Sequence, residues 1–287
     1  MTEVQSITGV RNELGAVRSR GETIGLVPTM GALHDGHVHL IRKMKEQASF
    51  VVVTVFVNPT QFGPNEDYSN YPRTRERDRQ ICEQEGVNLV FYPDVEEMYP
   101  VEPAISFMIK GLTDHMCGKS RPGHFGGVLQ VVNKLFNIIQ PDLAIFGQKD
   151  IQQFALIDRM VQEFNHPVRL IIGDTVREAD GLAMSSRNAY LNKKERKRAP
   201  LLYDAIKTVN EIVTSKPDVS VQDVLVEQEQ RLKANDLKID YLAVVNFYDL
   251  QPVVHIVPGS RYIVAGAVIN GTTRLIDNLI TDFKQIS

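Results

Sequence analysis

Residues 50–57 have the sequence FVVVTVFV, and this stretch decides the fold class. It is apolar and rich in β-branched residues on both faces, which is typical of a central strand that helices cover on both sides. Residues 23–29, TIGLVPT, form a second short apolar strand, and an amphipathic helix over 35–48 lies between the two. Strand, helix and strand in this order predict a parallel pair with a right-handed crossover.

The same alternation continues to about residue 175. Residues 74–85, 126–140 and 151–164 have helical patterns, and residues 88–92, 143–146 and 168–172 have strand patterns. We therefore predict an α/β fold, a doubly wound Rossmann-like parallel sheet, over residues 1–175.

The pattern changes after about residue 190. Two amphipathic helices, 200–213 and 221–234, precede strands at 239–246, 262–269 and 273–276. Helices followed by a run of strands predict a smaller C-terminal α+β domain over residues 176–287, with a hinge near 175–192.

The charge balance excludes some classes of function. The chain of 287 residues has 32 Lys and Arg against 35 Asp and Glu, a net charge of -3. A dedicated nucleic-acid binder is usually basic, so we expect no nucleic acid as partner. The basic run 193–198, KKERKR, could touch RNA, but its Glu195 also suits a solvated helix start.

No apolar run approaches the roughly 20 residues of a membrane span. The two cysteines, Cys82 and Cys117, form no CxxC pair, which fits a reducing compartment. We expect a cytoplasmic protein with no membrane partner.

Residues 28–37, PTMGALHDGH, place a glycine turn between a strand and a helix. A helix N-terminus offers N–H groups and a positive dipole end to an anion. His34 and His37 can lie on one side of the first turn, where imidazoles can donate to phosphate or one can act as a general acid. A turn with surface histidines is the alternative. His39 raises the question of zinc, but the spacing matches no common zinc motif.

Two further polar segments follow predicted strands. In 56–63, FVNPTQFG, the amides of Asn58 and Gln61 could bind a carboxylate or hydroxyl, or Asn58 could merely form a turn. In 146–153, FGQKDIQQ, Gly147 permits close backbone approach and Lys149 supplies a charge for phosphate. Asp150 could accept from a ribose or cap the next helix, and Gln153 lies one turn further on.

Two weaker candidates complete the set. Residues 184–188, MSSRN, could clamp a triphosphate through two hydroxyls and an arginine, or form a solvated loop. Asp78, near Glu76, could hold Mg²⁺ or be a surface acid. With no Walker A loop and no GxGxxG after the first strand, the residues indicate a nucleotide-binding α/β enzyme that acts at a phosphate.

Four strings carry a specific resemblance. The HxGH element and a distal Ser/Arg loop are shared by class I aminoacyl-tRNA synthetases and related nucleotidyltransferases. In this order, however, the strings resemble the pantothenate synthetase (pantoate–β-alanine ligase) family across essentially the whole chain: VPTMGALHDGH, FVNPTQFGPNEDYSNYPRT, RPGHFGGVLQVVNKLFNIIQPDLAIFGQKDIQQ and TVREADGLAMSSRNAYL.

The resemblance implies a two-step ligase that uses ATP as substrate together with Mg²⁺. Pantoate would be activated as pantoyl adenylate with release of pyrophosphate, and β-alanine would then displace AMP to give pantothenate. It also implies a homodimer and a C-terminal domain that acts as a lid.

The resemblance also assigns roles to individual residues. His37 and His34, with Lys149 and Arg187, would be catalytic, and His37 would donate a proton. Gln61, Gln153 and Asn58 would bind pantoate or β-alanine, and Asp78 matches a position linked to Mg²⁺. The residues implied to bind ATP are Met30, Gly31, Ala32, Leu33, His34, Asp35, Gly36, His37, Gly147, Gln148, Lys149, Asp150, Val176, Met184, Ser185, Ser186 and Arg187.

Two alternative functions remain open on the sequence. A nucleotidyltransferase that keeps the nucleotidyl group on its product shares the HxGH element but releases no AMP. A non-catalytic nucleotide-sensing or RNA-binding module would bind ATP without turnover.

Overall fold

The computed structural model describes residues 1–64, 66–216, 218–257 and 259–282. The chain divides into two compact units. The first contains residues 1–108, 122–148 and 156–176, and the second contains 109–121, 149–155 and the described residues from Arg177 onward. Two segments inside the predicted first domain, 109–121 and 149–155, thus group with the C-terminal part of the chain.

The first unit is organised by a parallel sheet. Its strands are β1 (Thr2–Val4), β2 (Ile24–Thr29), β3 (Phe50–Val55), β4 (Leu89–Phe91), β5 (Leu143–Gly147) and β6 (Arg169–Gly173). They lie in the order β1-β4-β3-β2-β5-β6, and each pairs in parallel with its neighbours. The predicted α/β class with a parallel sheet is confirmed. The central β3 has a buried run from Val51 to Thr54, as the apolar sequence requires.

Helices connect the strands. The chain forms α1 (Ile7–Ser19), α2 (Asp35–Lys45), α3 (Arg75–Gln84), α4 (Val95–Met98), α5 (Met116–Ser120), α6 (His124–Ile139) and α7 (Ile151–Glu163). Of these, α5 belongs to the second unit, and α7 is divided between the two units. Helix α2 carries Leu40, Ile41 and Met44 on its buried face, where they join the core beneath the sheet. Ile41 and Met44 belong to the apolar stripe whose helical spacing predicts this helix.

The strand order reverses at β2. Chain order runs from β2 through β3 to β4 on one side, whereas β5 and β6 lie on the other side. The β2–β3 ladder extends from Ile24↔Phe50 to Thr29↔Val55, but the β2–β5 ladder pairs just Gly25↔Leu143 and Leu26↔Ala144. In open parallel sheets ligands bind outside the carboxyl ends of the strands at such a reversal. The loops after β2 and β5 therefore start at the point where a ligand site is expected.

The second unit has its own sheet and core. Strands β7 (Lys238–Asn246), β8 (Arg261–Asn270) and β9 (Thr273–Asp282) pair antiparallel in that order. Helices α8 (Lys193–Arg198), α9 (Leu201–Ser215) and α10 (Val221–Lys233) precede them. Ile206 and Val209 of α9 and Val264 of β8 belong to one buried cluster in this unit. The predicted C-terminal α+β unit is confirmed.

Two elements near the N-terminus were not predicted from the sequence, and the structure shows which conformation the basic run 193–198 adopts. The short β1 and the helix α1 were not predicted, although Ser6 caps α1 and Val10, Leu14 and Val17 are buried at helical spacing. The basic run forms α8, with a capping box between Asn192 and Glu195. None of the helices in the described part of the chain has the length and apolar character needed to cross a membrane.

Candidate active site

The loop after β2 has an unusual backbone. Gly31 has a φ of 81° and Ala32 a φ of 51°, so both lie in the left-handed region. A Cβ atom at Gly31 would lie 2.9 Å from Val55 Cγ1 and 3.0 Å from Asp78 Oδ2. Glycine is required here both by the positive φ and by this close approach. Ala32 has a Cβ atom and is strained in this conformation, which persists only where surrounding contacts hold it.

The backbone N–H groups of this loop donate to acceptors within the protein. Gly31 N donates to Thr29 Oγ1 at 3.2 Å, and Ala32 N and Leu33 N donate to the carboxylate of Asp78 at 3.0 and 2.8 Å. Gly36 N donates to His34 Nδ1 at 3.1 Å. We expected N–H groups at the start of α2 to be available to an anion. In the structure, Gly36 N and His37 N have acceptors within the protein.

The two histidines form a reciprocal cap at the start of α2. His34 is the N-cap residue, and its Nδ1 accepts from Gly36 N, while His37 Nδ1 accepts from His34 N at 3.3 Å. The ring centroids are 4.1 Å apart. A neutral imidazole that accepts through Nδ1 carries its hydrogen on Nε2. The cap therefore assigns the same tautomer to both rings, with the hydrogen on Nε2.

Asp78 lies beneath the loop and does not have the surroundings of a metal ligand. Its side chain is 1% exposed. Besides the two backbone N–H groups, it accepts from Thr74 Oγ1 at 3.1 Å. Mg²⁺ demands nearly octahedral oxygen ligands and retains several waters, which a buried carboxylate with three hydrogen-bond donors does not accommodate. The residues at this position do not fit a Mg²⁺ site. Among the described residues, no three His, Cys, Asp or Glu side chains are grouped so as to hold a metal ion.

Asn58 is a buried junction of hydrogen bonds. It is 1% exposed, and its Nδ2 donates to Gln61 Oε1 and to Gly127 O, each at 3.1 Å. Its Oδ1 accepts from Tyr99 Oη at 2.9 Å and from Thr60 Oγ1 at 3.0 Å. Burial raises the pKa of Tyr99, so its phenol stays protonated and can donate. These contacts engage both ends of the amide, so Asn58 holds the turn that carries Gln61.

Gln61 lies in the short 3-10 turn Pro59–Gln61, directly after β3. Its side-chain oxygen faces Asn58, its Nε2 lies 3.2 Å from Met30 Sδ, and His124 Nδ1 lies 2.8 Å from its carbonyl oxygen. The structure thus brings Gln61 next to the loop after β2. His124, the first residue of α6, was missed by the sequence analysis. Its position in the RPGHFGG string was the available signal.

The remaining candidates of the first unit lie at or after the ends of β5 and β6. Gly147 ends β5, and Gly147, Gln148 and Val176 are half-buried. Beside Val176, Thr175 Oγ1 is buried and has no hydrogen-bond partner among the described residues. A buried hydroxyl of this kind is a group that a ligand can satisfy. A hydrogen bond from Lys43 at 3.0 Å lowers the pKa of the nearby Asp174.

In the second unit, Lys149 is anchored through its backbone. Lys149 is half-buried, and its carbonyl oxygen accepts from Asn278 Nδ2 at 2.9 Å. Asp150 is exposed at the end of the 3-10 turn Gln148–Asp150, and Gln153 is half-buried. The buried neighbour Gln152, which was not predicted, holds the 109–121 segment by donating to Leu112 O and His115 O, each at 3.0 Å, and by accepting from Gly118 N at 3.2 Å.

The MSSRN segment is an ordered turn. It forms the 3-10 helix Ser186–Tyr190, which Ser185 caps by accepting from Arg187 N at 3.3 Å. The half-buried Met184, Ser185, Ser186 and Arg187 all lie here. Asn188 donates to Glu178 Oε1 at 3.2 Å, while its buried Oδ1 has no hydrogen-bond partner among the described residues.

An ion pair fixes Arg177, which precedes the MSSRN segment in the chain. The guanidinium of Arg177 donates to both carboxylate oxygens of the buried Asp277 in β9, at 2.5 and 2.9 Å, and lies 3.5 Å from the centre of the Tyr203 ring. Asp277 directly precedes Asn278. One dipeptide of β9 therefore holds both the Lys149 backbone and the segment that leads to Arg187.

Comparisons with known proteins agree with this architecture. A family model described as Pantoate-beta-alanine ligase matches residues 2–280. The pantothenate synthetase of Moorella thermoacetica is 48% identical over 286 residues, which is 99% of this chain and 100% of that protein. The one from Caldicellulosiruptor saccharolyticus is 46% identical over 288 residues, covering 98% and 100%.

Solved structures extend the comparison. The crystal structure of pantothenate synthetase from Thermus thermophilus has a TM-score of 0.88 at 45% identity, covering 97% of this chain and 99% of that one. The pantoate–β-alanine ligase of Francisella tularensis, complexed with β-γ ATP and β-alanine, has a TM-score of 0.77 at 33% identity, covering 98% and 97%. On the family model and these full-length relatives, the chain belongs to the pantoate–β-alanine ligase family.

Proposed function

We propose that the chain condenses pantoate with β-alanine to form pantothenate, with ATP as the activating substrate and pantoyl adenylate as the intermediate. The single observation that carries this proposal is the full-length family match, over residues 2–280. It is supported by the paired imidazoles, which direct Nε2–H donors from the loop after β2 at the sheet's strand-order reversal. AMP and pyrophosphate are the expected by-products.

The first step needs stabilisation of negative charge. A pantoate carboxylate oxygen forms a bond to the α-phosphorus of ATP, the bond to the bridging oxygen breaks, and pyrophosphate leaves. Charge builds on the phosphate oxygens, and donors already fixed in position lower the barrier. Within the first unit we assign this role to His34 and His37. Within the second unit we assign phosphate contacts to Lys149 and Arg187, with Ser185 and Ser186 as hydroxyl donors.

The cap geometry refines the role of His37. The resemblance implies a proton donor, but a neutral ring that gives up its Nε2 hydrogen becomes an imidazolate unless Nδ1 gains a proton. Nδ1 of His37 instead accepts from His34 N at 3.3 Å. We therefore assign to His37 the donation of a hydrogen bond through Nε2, without loss of the proton, during adenylation.

The second step is an acyl transfer. The neutral amine of β-alanine attacks the acyl carbon of the adenylate, a C–N bond forms, and the C–O bond to the phosphate breaks. AMP leaves with the bond's electron pair, and the nitrogen loses one proton to solvent. Gln61 is held close to the loop after β2 by Asn58 and His124, so we assign to it the binding of pantoate and β-alanine. Gln153 has the corresponding pantoate role in the second unit. Asn58 acts through Gln61, because its own amide is engaged within the protein.

We further propose a homodimer and a cytoplasmic location. The first unit leaves three large apolar side chains of one segment exposed: Val101 at 76%, Ile105 at 82% and Met108 at 87%. Exposed apolar patches commonly mark protein interfaces. Light scattering on the purified protein is expected to give the mass of a dimer. A concentration-independent monomer mass would contradict this expectation.

The test is a product assay. The protein is incubated with ATP, Mg²⁺, pantoate and β-alanine, and AMP and pyrophosphate are followed while one acceptor is omitted at a time. Continuous AMP release that requires both acceptors is expected. Pyrophosphate without AMP under every condition would refute the ligase and indicate nucleotidyl transfer. ATP binding without any product would indicate a sensing module.

Two variants test the assigned residues. His37→Ala and Lys149→Ala are each expected to lower kcat by about 10²-fold or more, the range for loss of one fixed donor, while circular dichroism stays unchanged. Near-wild-type kinetics in either variant would contradict the role assigned to that residue.

A further inference from the structure

A buried carboxylate supports the left-handed turn that precedes the two histidines. Asp78 lies on the inner face of α3, and its oxygens accept from Ala32 N and Leu33 N at 3.0 and 2.8 Å. Its Oδ1 also accepts from Thr74 Oγ1 at 3.1 Å. Two of these donors belong to the backbone, and the third is the hydroxyl of Thr74, the residue directly before α3.

The turn needs this support. Ala32 has a φ of 51°, a conformation that an alanine adopts only where surrounding contacts hold it. Two neighbouring N–H groups that point at one carboxylate fix the orientation of both peptide planes. Hydrogen bonds to an ionised acceptor are stronger than neutral ones, so Asp78 is better suited to this task than an amide or hydroxyl would be.

The orientation of the imidazoles depends on this turn. Leu33 directly precedes His34. The backbone N–H of His34 donates to Nδ1 of His37, and Nδ1 of His34 accepts from Gly36 N. A rotation of the peptide plane before His34 would break the first of these bonds. Both rings would then lose the interactions that assign their tautomer and direction.

We propose that Asp78 is a positioning residue for the His34–His37 pair, and not a Mg²⁺ ligand. It fixes the left-handed turn by accepting from two backbone N–H groups. The turn then sets the direction of the Nε2–H group of each ring. The kinetic part of this proposal rests on the proposed function. The assignment of the ring tautomers does not.

Asp78→Asn tests the proposal. An asparagine has one acceptor oxygen, and its NH₂ group would face a backbone donor. We expect kcat to fall by about 10²-fold, the effect of a displacement of roughly 1 Å in a catalytic group, with the half-saturating Mg²⁺ concentration unchanged within twofold. Nitrogen NMR of the histidine rings is expected to show loss of the uniform Nε2–H tautomer at His34 and His37. Glu76→Gln, an exposed position on the same helix, is the control and should leave every readout unchanged.

Three results would overturn the proposal. A kcat within threefold of wild type would show that the turn does not need Asp78. A tenfold rise in half-saturating Mg²⁺, with kcat restored at saturation, would identify a metal ligand. A loss of folded protein with unaltered kcat per folded molecule and unaltered ring tautomers would show a merely structural role.

A second variant applies if Asp78→Asn does not fold. Thr74→Val keeps the carboxylate and removes one of its donors, so a several-fold fall in kcat with broadened ring signals is expected. Unchanged kcat and ring signals in this variant would then refute the proposal. If the wild-type protein makes no pantothenate, the proposed function fails, but the NMR comparison still decides the role of Asp78.

Discussion

Gly127→Ala should displace the 3-10 turn that carries Gln61 without replacing any residue to which we assign a role in the reaction. Gly127 lies in the first turns of α6, against the 3-10 turn that carries Gln61. A Cβ atom at this position would lie 2.1 Å from Thr60 O, 2.4 Å from Thr60 C and 2.6 Å from Gln61 N. All three are backbone atoms, so no side-chain rotation can relieve the contact.

The size of the effect follows from these distances. Non-bonded heavy atoms pack at about 3.5 Å, so α6 and the turn must separate by roughly 1 Å. Gly127 O accepts from Asn58 Nδ2 at 3.1 Å, and this bond would lengthen beyond a useful range. Overpacking costs about 1–3 kcal/mol, against which alanine gains about 0.5–1 kcal/mol in a helix. A displacement of roughly 1 Å at Gln61 is expected to lower kcat/KM for pantoate by about 10²-fold.

Steady-state kinetics and urea unfolding measure the two effects separately. The free energy of unfolding should fall by about 1–2 kcal/mol, so most of the protein stays folded while catalysis falls far more. Gly15→Ala in α1 is the matched control, because no atom lies within 4 Å of its added Cβ, and it should leave catalysis unchanged. A Gly127→Ala enzyme with kcat/KM within threefold of wild type would refute the argument that this close approach positions Gln61.

Other contacts lead to three further predictions. Asn278→Ala removes the donor to the Lys149 carbonyl and should lower kcat about tenfold while costing about 1 kcal/mol of stability; unchanged kinetics would show that Lys149 needs no such anchor. Tyr99→Phe removes the hydroxyl that donates to Asn58, and KM for pantoate should rise several-fold; an unaltered KM in this variant would contradict the role of the contact. Burial raises the pKa of Cys82 to about 12, so at pH 8 roughly one thiol in 10⁴ is ionised. Peptide mapping should find Cys82 alkylated by iodoacetamide in urea but not in the native protein, and rapid native labelling would contradict its burial.

The strands of the first unit could be predicted because their sequences are distinctive. The apolar runs at β2, β3 and β5 are continuous, and that of β3 is rich in β-branched residues, which predicts buried strands. The helices between them have a clear apolar stripe. Helix α1 was missed because charged and small residues separate its few apolar ones, which leaves a thin stripe. The three-residue β1 has too few side chains to show any period.

The candidate site residues stay predictions, but the structure adds contacts that the sequence did not indicate. HxGH after a strand predicts a ligand position, yet no local pattern shows that the protein's own atoms accept from the backbone N–H groups of the loop. Asp78 supplies two of those acceptors from a position 45 or more residues away in the chain. Asn58 is, in the sequence, a polar residue after a strand, whereas its partners Tyr99 and Gly127 are brought to it by the fold. Such long-range partners depend on topology, and a single sequence does not encode them in any local period.

The pairing of β5 with β2 has a consequence for the growing chain. During synthesis, β2, β3 and β4 can associate as soon as the first 91 residues have emerged, but the free edge of β2 must wait for Leu143–Gly147. Until then β2 presents an unpaired apolar edge, the kind of surface on which chains aggregate. Truncated chains that end before β5 should therefore aggregate more readily than truncated chains that end after β6, in which both edges of β2 are paired.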